Sequence, residues 1–554
     1  MNTRVTPGVG NRLLRGYGPV GALAVLLLLM SVLVPSKAES DGATDLTAGF
    51  QAGQGSAPGE SSSGSGASRP GSGTGSSDGA TGGASGGGES GGGGGTGVPA
   101  QAGGCPDRQE QVPGDPYSPP CVAFEGDNGG ETTKGVNAEE ILVSFRVLNE
   151  KGFQQTLAEL AGASLVDKPA DIKRTVEAFA EYFNQRFELY GRQIKIAFYD
   201  GVGSNTTELL GGGRDKAEAD AVRVAEEIGA FADLSATSEP YADALARRGV
   251  VAFGTPYLSK NWHAQRAPFA WSLATDGTTV AALAAEYAAL RLADKPAVHA
   301  GGALKDKPRK FATLAPENSW YQESVEFARQ VVTDAGKDPG VNIKYQLDLG
   351  TMSNQAANII PKMKSEGVTT MLCGCDPIMP VFLSGVANRE SYYPEFIVTG
   401  TALTDTDIVG QLWNQEFAKH AFGVSSMTEP VPPTETIAYE AYKTVRQDEP
   451  AFSVDLIYYQ MYMLAIGLQG AGPNLTPESF ANGMFSYPPK NGPVGLWKFG
   501  PDDFTAANDV REIYWDPSAI SNYNGKQGAY VDPAPGTRWE AGNTPTGDPA
   551  VPVR

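Results

Sequence analysis

The chain has 554 residues, a formal net charge of −20 and an isoelectric point near 4.7. No Lys/Arg cluster lies in the part able to fold, which argues against a nucleic-acid partner. The three histidines, His263, His299 and His420, are scattered, so a His-based metal site or a Ser/His/Asp triad has poor material and no cofactor is expected.

The N-terminus reads as an export signal. Arg4, Arg12 and Arg15 precede an apolar run from Val20 to Val34, and Ser36-Lys37-Ala38 follows as a small-X-small cleavage pattern. Residues 1–38 are expected to be a signal peptide. The run is short for a membrane span, which needs about 20 apolar residues, and an uncleaved signal anchor stays open. No Cys follows it, so a lipid anchor is not indicated.

Residues 39–135 are expected to form a disordered linker, Gly/Ser-rich up to about residue 104, with a loop between Cys105 and Cys121. The other two cysteines, Cys373 and Cys375, flank a single Gly. In an exported protein, pairing within each couple is the simplest reading.

The folded part is expected from about Ala138. Ile141–Phe145 is a first strand, Phe153–Ala163 a short helix and Ile172–Phe187 an amphipathic helix with Val176, Phe179, Phe183 and Phe187 at helical spacing. Gln193–Tyr199 is a second strand, and a helix over Asp215–Ile228 follows. The stretch Asp233–Ser259 has a strand–loop–helix–strand order. Its polar turn Ser235–Glu239 precedes Pro240, whose fixed φ suits a first helical turn, and Gly249 stops the helix. Val250–Phe253 has the length of a buried parallel strand and ends in the turn Gly254–Tyr257.

A second series runs Lys310–Leu314, Tyr321–Asp334, Ile343–Leu349, Asn354–Ser365, Thr369–Cys373, Met379–Asn388 and Glu395–Val398, with Thr399-Gly400-Thr401 at its end. Two β-α series with short loops call for an α/β fold of two doubly wound parallel sheets. Such sheets bind ligands at the carboxyl ends of their strands. Helices at Thr434–Arg446 and Val454–Leu468 return afterwards. No Gly-rich phosphate loop or nucleophile elbow is present, so an enzyme is not expected.

The segments LSATSEPYADALARRGVVAFGTPYLS, FATLAPENSWYQESVEFARQVV, VDLIYYQMYMLAIGL, LTPESFANGMFSY and FGPDDFTAANDVREIYWD carry a resemblance over about Ala138–Asp516. The chain resembles the type I periplasmic solute-binding proteins of ABC importers, in the branched-chain amino acid group. That resemblance implies two lobes joined by a three-crossover hinge, with a small polar ligand, an amino acid or related carboxylate, held between them. The implied ranges are 136–300 and 425–490 for lobe 1, 301–424 and 491–516 for lobe 2, and 517–554 for an extended tail.

The resemblance also implies the ligand contacts. Ser235 matches the serine that holds the ligand's carboxylate, with Thr237 and Ser238 beside it. Thr255 and Tyr257 lie in the next contact loop, where Pro and Tyr depart from the family's small residues. Trp320 or Tyr321 takes the place of the covering aromatic. Asp376 and Asp405 are candidates for the ammonium, Thr401 sits at a strand end, and Arg146 is a pocket edge. The implied partner is an importer permease, and the implied state is a monomer in the cell envelope or outside the cell. A tethered surface protein that senses ligand, or serves structurally, with the same fold is the other reading.

Overall fold

The computed structural model describes residues 109–148, 167–254 and 257–553, all within the unit Ala100–Arg554. The expected signal segment, the Gly/Ser stretch, Cys105, the helix Phe153–Ala163, Thr255 and Pro256 lie outside these residues.

The first sheet is parallel throughout. Its strands are β1 (Glu140–Val147), β2 (Gln193–Asp200), β3 (Ala232–Asp233), β4 (Val251–Phe253) and β5 (Ala270–Trp271), in the order β2-β1-β3-β4-β5. The helix Pro169–Arg186 starts on Pro and turns Val176, Phe179 and Phe183 inward. Those rings meet Tyr458 and Tyr462 of the helix Val454–Ala471, with centroids 5.2–5.4 Å apart. That helix is apolar on every face because it is enclosed on every face. It packs against Pro477–Phe485 through glycines: a Cβ on Gly467 would lie 2.2 Å from the Phe480 ring. A capping box of Thr476 and Ser479 starts the second helix.

The second sheet holds β6 (Phe311–Pro316), β7 (Val341–Tyr345), β8 (Thr370–Cys373), β9 (Glu395–Val398) and β10 (Ala421–Ser425), all parallel. A hairpin of β11 (Lys490–Gly492) and β12 (Gly495–Trp497) precedes β13 (Asp509–Ile520), β14 (Gln527–Val531) and β15 (Trp539–Glu540). β13 joins β10 antiparallel and pairs with β14 and β15, giving the order β14-β13-β10-β9-β8-β6-β7. The chain passes between the two cores three times: between Trp271 and Leu283, between Val424 and Ala438, and between Ala506 and Val510. This is the expected α/β fold of two doubly wound lobes.

The packing redraws several expected limits. The helix Gly277–Tyr287, expected with lobe 1, lays Leu283, Ala284 and Tyr287 against Phe311, Leu372 and Ile397 of the second sheet. Trp497, Phe499 and Phe504, expected in lobe 2, belong to the first core: Phe499 and Phe504 close around Trp271, and Trp497 packs against Tyr459 and Tyr462. Residues 109–135 are not a free linker: Tyr117 is fully buried, stacks on Trp497 with centroids 4.2 Å apart and donates to the Gly495 carbonyl at 2.6 Å. Residues 517–553, expected within an extended tail, are not extended either. Their prolines, glycines and asparagines punctuate strands, and Tyr530 packs edge-on against Trp515 at 5.0 Å.

Candidate functional site

The carboxyl end of β3 closes the first lobe. Asp233 is fully buried and accepts from Ser144 Oγ (2.6 Å), Tyr241 OH (2.9 Å), Ser235 N (2.8 Å) and Ser235 Oγ (2.7 Å). Burial raises its pKa, and these donors pull it back down. Ser235 Oγ in turn accepts the Arg146 N–H at 2.8 Å. The Arg146 guanidinium pairs with Glu208 at 2.9 Å and Asp220 at 3.3 Å and lies 3.8 Å from the centroid of the Tyr241 ring. Ser238 donates to the same Glu208, and Thr237 donates to Asn205 at 3.3 Å. Ser235, Ser238 and Arg146, expected to meet ligand, therefore have internal partners. Their residue types suit an anion, but Asp233 and Glu208 arrive first.

The second lobe differs. A cavity of about 50 Å³ opens at the carboxyl ends of its strands. Thr313 and Leu314 of β6, Leu372 and Gly374 at the end of β8, and Thr399 and Thr401 after β9 form its floor. Val280, Ala281 and Ala284 line one side from the helix Gly277–Tyr287, and Tyr321, Ser324, Val325 and Ala328 another from Ser319–Asp334. Tyr257 of the first lobe completes the wall. Its φ is +66°, in the left-handed region. The Tyr257 and Tyr321 hydroxyls have no hydrogen-bond partner among the described residues. Burial raises both phenol pKa values, with the charges of Asp405 beside Tyr257 and Asp376 beside Tyr321 adding to it.

Asp376 and Asp405 stand behind this wall, 6% exposed each. Asp376 is engaged: Tyr345 OH donates to it at 2.5 Å, and the Ile378 and Met379 N–H groups reach it at 2.8 and 3.2 Å, at the start of the helix Met379–Arg389. Among the described residues Asp405 accepts from Ser425 Oγ, at 2.5 Å on Oδ2, its Oδ1 has no partner, and the charge of Arg511 acts on it. Thr399 donates to the Cys373 carbonyl and pairs with Thr401, both at 2.9 Å. Gly400, Ala402 and Leu403 all have positive φ, so the loop carrying Thr401 is held in an uncommon conformation. Cys373 and Cys375 are bridged on either side of Gly374; Cys121 is also disulfide-bonded.

Trp320 does not line the cavity. It packs against Gly211 and the first-lobe cluster around Tyr241, and nearby Ser259 Oγ donates to Glu323 at 2.8 Å across the lobes. Of the expected contacts, Tyr257, Tyr321 and Thr401 come together in one cavity. The residues missed were those of Gly277–Tyr287 and the Ser324 face, because an alanine-rich helix gives no sign of which sheet it covers. A second cavity, between His299, Phe422 and Val551, is about 10 Å³, room for about one water. Among the described residues no cluster of His, Cys, Asp or Glu is placed to hold a metal, and no helix is long and apolar enough to cross a membrane.

Residues 169–519 match the periplasmic binding protein family, and the chain belongs to it. Its fold is that of the type I binding proteins of ABC transporters. Similar solved structures include the ABC transporter substrate-binding protein from Sphaerobacter thermophilus, 14% identical with a TM-score of 0.51 over 74% of this chain and 100% of that one. The fatty acid ABC transporter substrate-binding protein from Thermomonospora curvata is 15% identical, with a TM-score of 0.50 over 76% and 98%. A branched-chain amino acid transporter substrate-binding protein from Streptococcus pneumoniae, in complex with isoleucine, is 13% identical with a TM-score of 0.47 over 71% and 100%. No curated protein matches the chain.

Proposed function

We propose that the protein captures one small solute between its lobes, outside the cytoplasm, and delivers it to the permease of an ABC importer, with no covalent chemistry of its own. The observation that carries this reading is the cavity at the strand ends of the second lobe with Tyr257 of the first lobe in its wall. A site shared by two lobes couples binding to closure, because contacts to both are complete only in the closed state. The Ser259–Glu323 bond and the Trp320 contact belong to that state. An amino acid fits this reading through its apolar side chain and its ammonium, with Asp405 as the acid on that side.

The test is mass spectrometry of small molecules released on denaturing the purified protein, followed by calorimetry and small-angle scattering with each compound found. One solute per chain and a more compact particle on binding are expected. A protein that releases nothing, and neither binds nor compacts with a panel of apolar amino acids, amines and acids, overturns the reading.

A further inference from the structure

We infer that the hinge is clasped by two segments outside the family-matched range, and that this clasp limits how far the lobes open. Tyr117 precedes the matched residues 169–519 and Arg538 follows them. They meet at the hairpin β11–β12, over two of the three passages that join the lobes, those between Val424 and Ala438 and between Ala506 and Val510. Arg538 donates from Nε to Asp509 Oδ2 at 2.6 Å and from Nη2 to the Ser426 carbonyl at 2.8 Å, which ties one passage to the other. Asp509 is 4% exposed, and its Oδ1 also accepts the Leu496 N–H of the hairpin at 2.9 Å. From the other side, Tyr117 OH accepts the Val494 N–H at 2.9 Å while it donates to the Gly495 carbonyl. Tyr117 is itself held in the first lobe: Tyr487 OH donates to its carbonyl at 2.6 Å, and Asp115 beside it accepts from Tyr458 OH at 3.0 Å.

The hairpin turn is therefore gripped from both lobes, and it has no slack. Gly495 has φ +88°, and a Cβ there would lie 2.8 Å from Asp509 Oδ1 and 3.1 Å from Arg538 Nη2. Thr428 Oγ1 donates to the Pro493 carbonyl, a further tie from the second passage. Next to Arg538, β15 pairs with β13 and anchors that segment in the second lobe. A hinge turns by letting a few residues absorb a change in φ and ψ. Here their carbonyls and a buried carboxylate are committed to side chains from outside, so turning the hinge gives up bonds that include charge-assisted ones. Neither Tyr117 nor Arg538 lines the cavity, so both are positioning residues that act on a solute through opening alone.

The test needs no solute. Cys121, Cys373 and Cys375 are already bridged, so Val202→Cys and Leu349→Cys can carry two spin labels on the full chain. Both positions are exposed, beyond the carboxyl ends of β2 and β7, one on each lobe. Pulsed electron resonance then reads the distance between the lobes. Tyr117→Phe keeps the ring and its stack on Trp497, and the Arg538 side chain is 21% exposed, so Tyr117→Phe and Arg538→Met both retain the core. Each should shift the mean distance outward by more than about 2 Å, the scale of a domain rearrangement. Tyr530→Phe, which removes a buried bond to the Thr404 carbonyl within the second lobe, should leave the distance where it is. An unchanged distance in either clasp variant overturns the inference, and so does an equal shift in Tyr530→Phe. Because no solute enters the measurement, each of these results leaves the cleft reading to its own calorimetry.

Discussion

At the end of β3, Asp233 accepts four hydrogen bonds, two of them from Ser235. After β9, Asp405 accepts one, from Ser425, and its second oxygen has none. Both carboxylates are buried at the carboxyl end of a parallel sheet, with a tyrosine nearby. In the first lobe the tyrosine donates to the acid, and an arginine fills the remaining space. In the second lobe the tyrosine hydroxyl has no hydrogen-bond partner among the described residues and lines a cavity, and Arg511 acts on the acid through its charge without a hydrogen bond to it. Two strand ends in sheets of the same topology thus differ: the acid after β3 is sealed by bonds within the fold, and the acid after β9 keeps one oxygen without a partner among the described residues. A satisfied network adds rigidity, whereas an unsatisfied one persists only where something else completes it.

The largest break in this contrast is Arg146→Met. It leaves Glu208 and Asp220 buried without their cation. Removing one partner of a buried pair destabilises by about 3–5 kcal/mol. Urea unfolding followed by tryptophan fluorescence should show that loss. A change below about 1 kcal/mol would mean that the first edge is not the structural one.

The contrast can also be read by pH. His263 lies in the first lobe, donates from Nδ1 to the Ala270 carbonyl at 3.1 Å and has a bare Nε2. Burial first, and the charge of Arg266 as well, lower its pKa from 6.5 to about 4. The fold therefore prefers the neutral ring. Its contribution is complete above pH 6.5 and is lost as pH falls through about 4. The melting temperature should drop over that interval, and His263→Gln should flatten the drop. An equal slope in both proteins would place the acid sensitivity elsewhere. Asp376 and Asp405 of the second edge have raised pKa values, so acidification does not cost their contribution.

How much of this could be read from the residues depends on the kind of question. The β-α order settles the two sheets, because strand and helix are set by local periodicity. Tyr257, Tyr321 and Thr401 are found by position, since strand ends converge in this topology. The direction of a hydroxyl is another matter. Ser235 has the residue type and turn expected of an anion ligand, yet Asp233, two residues earlier, accepts its hydrogen bond. That choice depends on where β3 places the carboxylate relative to the turn, a distance no linear pattern encodes. Likewise Trp320 and Tyr321 are neighbours in sequence but face different lobes, because adjacent helical residues point about 100° apart.

The finest form of the comparison applies one substitution to both edges. Tyr241→Phe in the first lobe removes a donor to Asp233 and the 2.5 Å bond with Tyr199. Losing a partner of a buried charged acceptor costs about 1–3 kcal/mol. Tyr321→Phe removes a hydroxyl that bonds nothing among the described residues, so its stability should stay within about 0.5 kcal/mol of the unmodified protein. Ligand affinity should respond in the reverse order. Tyr321→Phe should weaken the natural solute by about five- to tenfold, the size of one lost hydrogen bond. Tyr241→Phe should leave the affinity of the molecules that remain folded within about twofold. Denaturation and calorimetry on the two variants measure all four numbers. If Tyr321→Phe lost stability and kept its affinity, its hydroxyl would belong to the fold, and the two edges would not differ in kind.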